Sequence, residues 1–287
     1  MRLTSAALTA LALMAFAANS LLARQALTAT ATDPVSFTVI RLASGALMLA
    51  IIVAWRAPTV PGRFSIPSAL ALLVYALGFS WAYLALGAAT GALLLFGAVQ
   101  LSMLAWALWQ GDRFDQASWL GFLMAAGGLV WLLLPGLQQP PLLPATSMVI
   151  AGVAWAVYTL RGAASGEPLR ANSGNFLLAS ALSLPLLAIF WPRLQLDAGG
   201  FWLAAASGAL ASGLGYAVWY AALARIRRVT AAVAQLAVPV ITAVLAVVLL
   251  GEALNARLLL SGLVILGGIL LVIAPRRSLV ASDQRSG

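Results

Sequence analysis

The chain has no cysteine and no histidine, and all 16 of its basic residues are arginine. The first absence rules out disulfides, a thiolate nucleophile and thiolate ligands for a metal. The second removes the commonest general base and metal ligand. Acids are also scarce, seven in 287 positions, and charged residues of both signs make up only 8% of the chain. Enzyme classes that rest on clustered His, Cys, Asp or Glu are therefore disfavoured, and no cofactor or metal is expected. The net charge of +9 does not point to nucleic acid, because the arginines are scattered and form no soluble basic face.

Apolar sequence fills the rest. Hydrophobic residues make up 63% of the chain and the mean hydropathy is +1.02. A helix needs about 20 apolar residues to cross the hydrocarbon. That length recurs ten times, at 4–23, 35–55, 67–87, 90–109, 117–134, 145–161, 173–191, 201–222, 230–250 and 257–274. The expected class is an all-α integral membrane protein whose main partner is the lipid bilayer. The first run follows Arg2 as a signal peptide would, but it is long and Phe16-Ala17-Ala18-Asn19 is a poor cleavage site, so it reads as a retained span. Asp33-Pro34 opens the second helix, Gln138-Gln139-Pro140-Pro141 separates two halves, and Trp191-Pro192-Arg193 closes the seventh span. Residues 278–287 read as a short disordered tail.

With ten spans the arginines sort unevenly. Twelve fall on one side, three (Arg24, Arg193 and Arg257) on the other, and Arg41 lies inside a span. The positive-inside rule then places both termini in the cytoplasm. Arginine-only basic residues and Ala/Leu richness point to a GC-rich bacterium, whose inner membrane is the expected location.

The two halves repeat. Thr90 to Pro135 aligns without a gap to Thr230 to Pro275, with Gly111-Asp112 on Gly251-Glu252 and Gly127-Gly128 on Gly267-Gly268. Only eight of 46 positions are identical, but they include the turn glycine, the paired glycines and the terminal proline. Five spans per half is odd, so the second copy must enter the membrane in the opposite sense. The expected architecture is two inverted five-helix repeats, 1–136 and 145–277, with a site between them near the midplane. Gly78-Phe79 and Tyr83-Leu84-Ala85-Leu86 in the third span likewise echo Gly215-Tyr216 and Tyr220-Ala221-Ala222-Leu223 in the eighth.

Several of these phrases together resemble the EamA-type drug/metabolite transporters. They are Asp33-Pro34 with Arg41 in the second span, the Tyr-x-Ala-Leu phrases, Pro239-Val240 inside the ninth span, and Gly251-Glu252 followed by Gly-Gly. The resemblance covers nearly the whole chain. It implies ten helices in two five-helix repeats and export of small metabolites, often amino acids; it leaves the substrate open.

Candidate solute-binding residues follow from polarity and spacing within spans. Pro239 strips the Gln235 carbonyl of its helical donor beside the Gln235 amide, which is either a midplane ligand or a packing kink. Phe79 and Tyr83 share a helix face, as do Tyr216 and Tyr220, and Trp155 and Tyr158. They read as an aromatic cavity or as interfacial belt residues. Asn19 and Gln100 are amides inside spans, able to line a site or to join helices. Arg41 is the sole ionisable residue within a span, and reads as a structural clamp that snorkels or meets Asp33, or as a contact for a substrate carboxylate. Ala204, Gly208 and Ser212 form a close-packing stripe. No acid falls inside a span, so obligatory proton antiport is not expected. The rival readings are a lipid-modifying membrane enzyme and a non-transporting structural membrane protein; the expected partners are a small-molecule solute and the bilayer, with the chain a monomer or homodimer.

Overall fold

Ten helices long and apolar enough to cross a membrane are present, and among the described residues there is no strand. The structure is a computed structural model that describes residues 4–56, 64–134, 139–163, 167–226 and 228–273. The spans are α1 (Ser5–Ala29), α2 (Pro34–Arg56), α3 (Ile66–Tyr83), α4 (Ala88–Trp109), α5 (Gln116–Leu133), α6 (Leu142–Ala163) and α7 (Pro168–Ile189). The eighth span is α8 (Ala198–Ala206), a π-helical stretch Ser207–Leu214 and α9 (Gly215–Leu223). The ninth is α10 (Arg228–Gln235) with α11 (Ala237–Leu250), and the tenth is α12 (Ala256–Ile273). Pro135, Pro275 and the 278–287 tail lie outside the described residues.

The scarce acids sit mostly at helix starts. Asp33 accepts from Val35 and Ser36 N–H at 2.8 and 3.0 Å, Asp115 from Ser118 at 2.9 Å, and Asp197 from Gly200 at 2.6 Å. A carboxylate there satisfies free N–H groups and complements the positive end of the helix. Helix ends at the repeated turn use glycine for its left-handed freedom: Gly111 has φ +95° and Gly251 φ +66°. These two, 140 positions apart, are the only positive-φ residues described.

Small residues set the packing. Gly121 on α5 and Gly268 on α12 cross so closely that a Cβ on either would lie 2.5 Å from the other's carbonyl oxygen. Gly128 packs on Ile265 and Gly268 on Ala125, a pair of contacts related by the same 140-residue shift, while Gly127 and Gly267 both face open space. The larger pairings are reciprocal too: α6 packs on α3 and α4, and α1 packs on the eighth and ninth spans. Helices of each half thus insert into the other around a common centre, by van der Waals contact where lipid supplies no hydrophobic drive.

Two spans depart from plain α-helix. At the ninth, the helix is interrupted at Leu236, whose N–H bonds Val233 at 3.1 Å. Pro239, one turn on, has no N–H for the Gln235 carbonyl and its ring crowds that oxygen. In the eighth, the π-helical turns meet α2, where a Cβ on Gly208 would strike the Arg41 carbonyl oxygen and Ser44 Oγ. Ala204, Gly208 and Ser212 are buried in that seam.

Candidate functional site

The helices enclose a cavity of about 610 Å³. Asn19 and Phe16 reach it from α1, Phe79 and Tyr75 from α3, Trp155 and Tyr158 from α6, Tyr216 and Tyr220 from α9, and Gln235 from the end of α10. Each aromatic pair lies three or four residues apart, so one helix face delivers both rings. Trp155 stacks on Tyr216 at 5.3 Å and 23°, and meets Tyr75 at 4.6 Å and Tyr158 at 5.4 Å. Phe16 joins Tyr216 at 5.6 Å, so the rings form a continuous wall across both halves.

Seven of the expected residues therefore line one space: Asn19, Phe79, Trp155, Tyr158, Tyr216, Tyr220 and Gln235. Four lie outside the lining. Tyr83 is fully buried behind Phe79, edge-on at 4.7 Å, against Gly91. Gln100 is buried on α4, and Pro239 is buried in α11 beyond the helix break. Arg41 is 2% exposed and neither snorkels outward nor meets Asp33. Its Nη2 donates to the Tyr75 hydroxyl at 2.8 Å, and its Cζ lies 4.6 Å from the centre of the Phe79 ring. Asp33 is occupied elsewhere, capping α2 and accepting from Gln195 N–H at 2.8 Å.

Sequence reasoning missed Phe16, Ser20, Tyr75 and Trp219. Tyr75 had a legible signal, since it precedes Phe79 and Tyr83 at the same four-residue step. Phe16 lies in an apolar run with nothing to single it out.

Polar groups at the inner wall are linked. Ser207 Oγ donates to Asn19 Oδ1 at 2.6 Å, and Asn19 Nδ2 reaches the Tyr75 hydroxyl at 3.5 Å. With Arg41 this ties α1, α2, α3 and the eighth span through one phenol. Further along, the Tyr158 hydroxyl donates to Asn172 Oδ1.

The two ends of the cavity differ. Gly162, Pro168, Leu169, Leu223 and Ala224 continue the lining to the arginine-rich face. At the arginine-poor face the helices are tied. Glu252 Oε1 lies 3.4 Å from Arg24 Nε and accepts from Ala88 N–H at 2.9 Å. Arg24 Nη1 donates to the Tyr83 and Leu84 carbonyls at 3.0 and 3.3 Å. α1 runs on to Ala29, past the expected end at 23, so Arg24 makes these contacts from within the helix. Beside it, Asp197 accepts from Ala31 N–H at 3.0 Å, and the Ala31 and Gly200 N–H groups hold its carboxyl below the ordinary aspartate range.

Residues 142–274 match the EamA-like transporter family. The chain is 52% identical over 277 residues to an uncharacterized protein of Pseudomonas aeruginosa, covering 96% of both chains. It shares its fold with a solved crystal structure at TM-score 0.66 and 22% identity, over 93% of this chain and 98% of that one. An aromatic cavity inside ten apolar helices fits that match: through residues 142–274 the chain belongs to the EamA-like transporter family, in a multi-pass membrane protein consistent with a drug/metabolite-type transporter.

Proposed function

We propose that the protein exports a small organic metabolite, an amino acid or similar amphipathic solute, across a bacterial inner membrane by alternating access. The observation that carries this reading is the aromatic-walled cavity, continuous with one face and tied shut at the other. Rings supply a broad apolar surface, while Asn19, Ser20 and Gln235 supply a few polar contacts, the usual composition of a small-molecule site.

Two inverted five-helix halves, 1–136 and 145–277, would exchange roles as the site opens to either face. The reciprocal α5–α12 contacts and the repeat-related helix pairings support that arrangement. The arginine distribution supports cytoplasmic termini and a cytoplasmic open face. Each described acid lies in a loop or at a helix end, which supports exchange or facilitated diffusion without a titrating carboxylate at the midplane.

Proteoliposomes loaded with candidate metabolites test the reading. Trp155→Ala and Gln235→Ala should cut flux at least several-fold while the protein stays inserted and folded. Normal flux in both variants would move the site elsewhere.

A further inference from the structure

We infer that the cavity is charge-selective: it takes the carboxylate end of an anionic or zwitterionic solute at Tyr75, with Arg41 behind it, and rejects cations. This rests on the cavity being the transport site.

A guanidinium stays charged in a protein interior. Glu252 pairs with Arg24 and Glu167 with Arg170, and no described acid lies in an ion pair with Arg41. Its Nη1 is buried without a hydrogen-bond partner. Its other contacts are the Tyr75 hydroxyl and the ring faces of Tyr75 and Phe79, at 5.0 and 4.6 Å from Cζ. Tyr75 and Phe79 both line the cavity, and no described Asp or Glu does. A fixed positive charge therefore stands directly behind the wall, with no counter-charge among the described residues, in surroundings that screen it poorly.

The Tyr75 hydroxyl turns that charge into a directed contact. Its oxygen accepts from Arg41 at 2.8 Å and from Asn19 at 3.5 Å, which leaves its own proton to donate. The charged donor behind it polarises that O–H. The complement is a negatively charged acceptor. An ammonium at the same place meets a donor and a like charge.

Arg41 acts through Tyr75 and is a positioning residue, so its test must read selectivity and not only activity. Three probes keep one ring and vary the charge: N-acetyl-L-phenylalanine, N-acetyl-L-phenylalaninamide and L-phenylalaninamide. Their binding to the purified full-length protein is measured by titration calorimetry in mildly acidic buffer, where the acid and the amine are both ionised. The anion should bind at least about tenfold tighter than the cation. Arg41→Lys should keep most of that ratio and Arg41→Gln should bring it close to one. Asn19→Asp, which places a carboxylate beside Tyr75, should invert it. Tyr75→Phe should weaken the anion more than the neutral amide. If Arg41→Gln does not fold, the Asn19 and Tyr75 variants carry the test. Equal or tighter binding of the cation by the unaltered protein overturns the inference, as does a ratio that none of these variants moves. Binding of the neutral amide with no anion preference sinks this inference alone; failure of all three probes to bind also removes the proposed role of the cavity.

Discussion

Removing the Glu252 carboxylate should open the arginine-poor end of the cavity. Glu252 joins three elements: it pairs with Arg24 of α1, caps the start of α4 at Ala88, and lies at the turn between α11 and α12. A hydrogen bond from a backbone amide to a charged acceptor contributes about 1.5–3 kcal/mol. The ion pair, whose side chains are 24% and 17% exposed, adds up to about 1 kcal/mol. If opening separates these groups, Glu252→Ala shifts the balance by about 2–4 kcal/mol, or about 30- to 1,000-fold in the closed-to-open ratio. Glu252→Gln keeps an acceptor for Ala88 and loses the charge, so about 1–2 kcal/mol and a shift of about 5- to 30-fold are expected. The cysteine-free chain makes this measurable. Ser20, which lines the cavity, is replaced by cysteine and labelled in intact cells with an impermeant thiol reagent. Gln139→Cys, on the arginine-poor side, is the positive control. Labelling at Ser20→Cys should be slow with Glu252, faster with Gln and fastest with Ala, until the open state dominates. Equal rates in all three backgrounds would refute the latch.

Gly208→Ala should prevent correct packing of the eighth span on α2, because the added methyl meets the Arg41 backbone, which cannot swing aside as a side-chain end could. A cost of about 1–3 kcal/mol or more is expected, read as lost thermal stability in detergent, while Gly127→Ala, with open space around it, should be nearly silent. The Asp197 carboxyl titrates below the ordinary aspartate range, so its contribution is full above the unfolded-state value and is lost as pH falls through the lower folded one. Melting temperature should therefore fall on strong acidification, and Asp197→Asn should flatten that acid limb; an unchanged profile would remove Asp197 from the link between Ala31 and Gly200.

Much of the fold was legible because a membrane makes severe demands on sequence. Each span must be long and apolar, each turn must contain a breaker, and Gly111 and Gly251 stand where left-handed backbone is needed. The aromatic steps on α3, α6 and α9 were equally readable, because helical periodicity alone puts Trp155 with Tyr158 and Tyr216 with Tyr220 on common faces. Pro239 likewise announced the break at Leu236.

What periodicity cannot supply is rotation and partnership between helices. Tyr83 carries the same local signal as Phe79, yet the close approach of α4 at Gly91 encloses it while Phe79 faces the cavity. Phe16 reaches the same space from an apolar run that gives no hint of it. Glu252 reads as a turn residue, and only the meeting of α1, α4 and α11 makes it a tie between helices. Arg41 shows the division most clearly. Its position in a span was plain from sequence, but a charge in hydrocarbon takes whichever neighbour lowers its energy most, and that neighbour was set by packing. Close contact of α2 with the π-helical stretch holds its backbone, and the Tyr75 hydroxyl with two ring faces takes its side chain inward, away from Asp33.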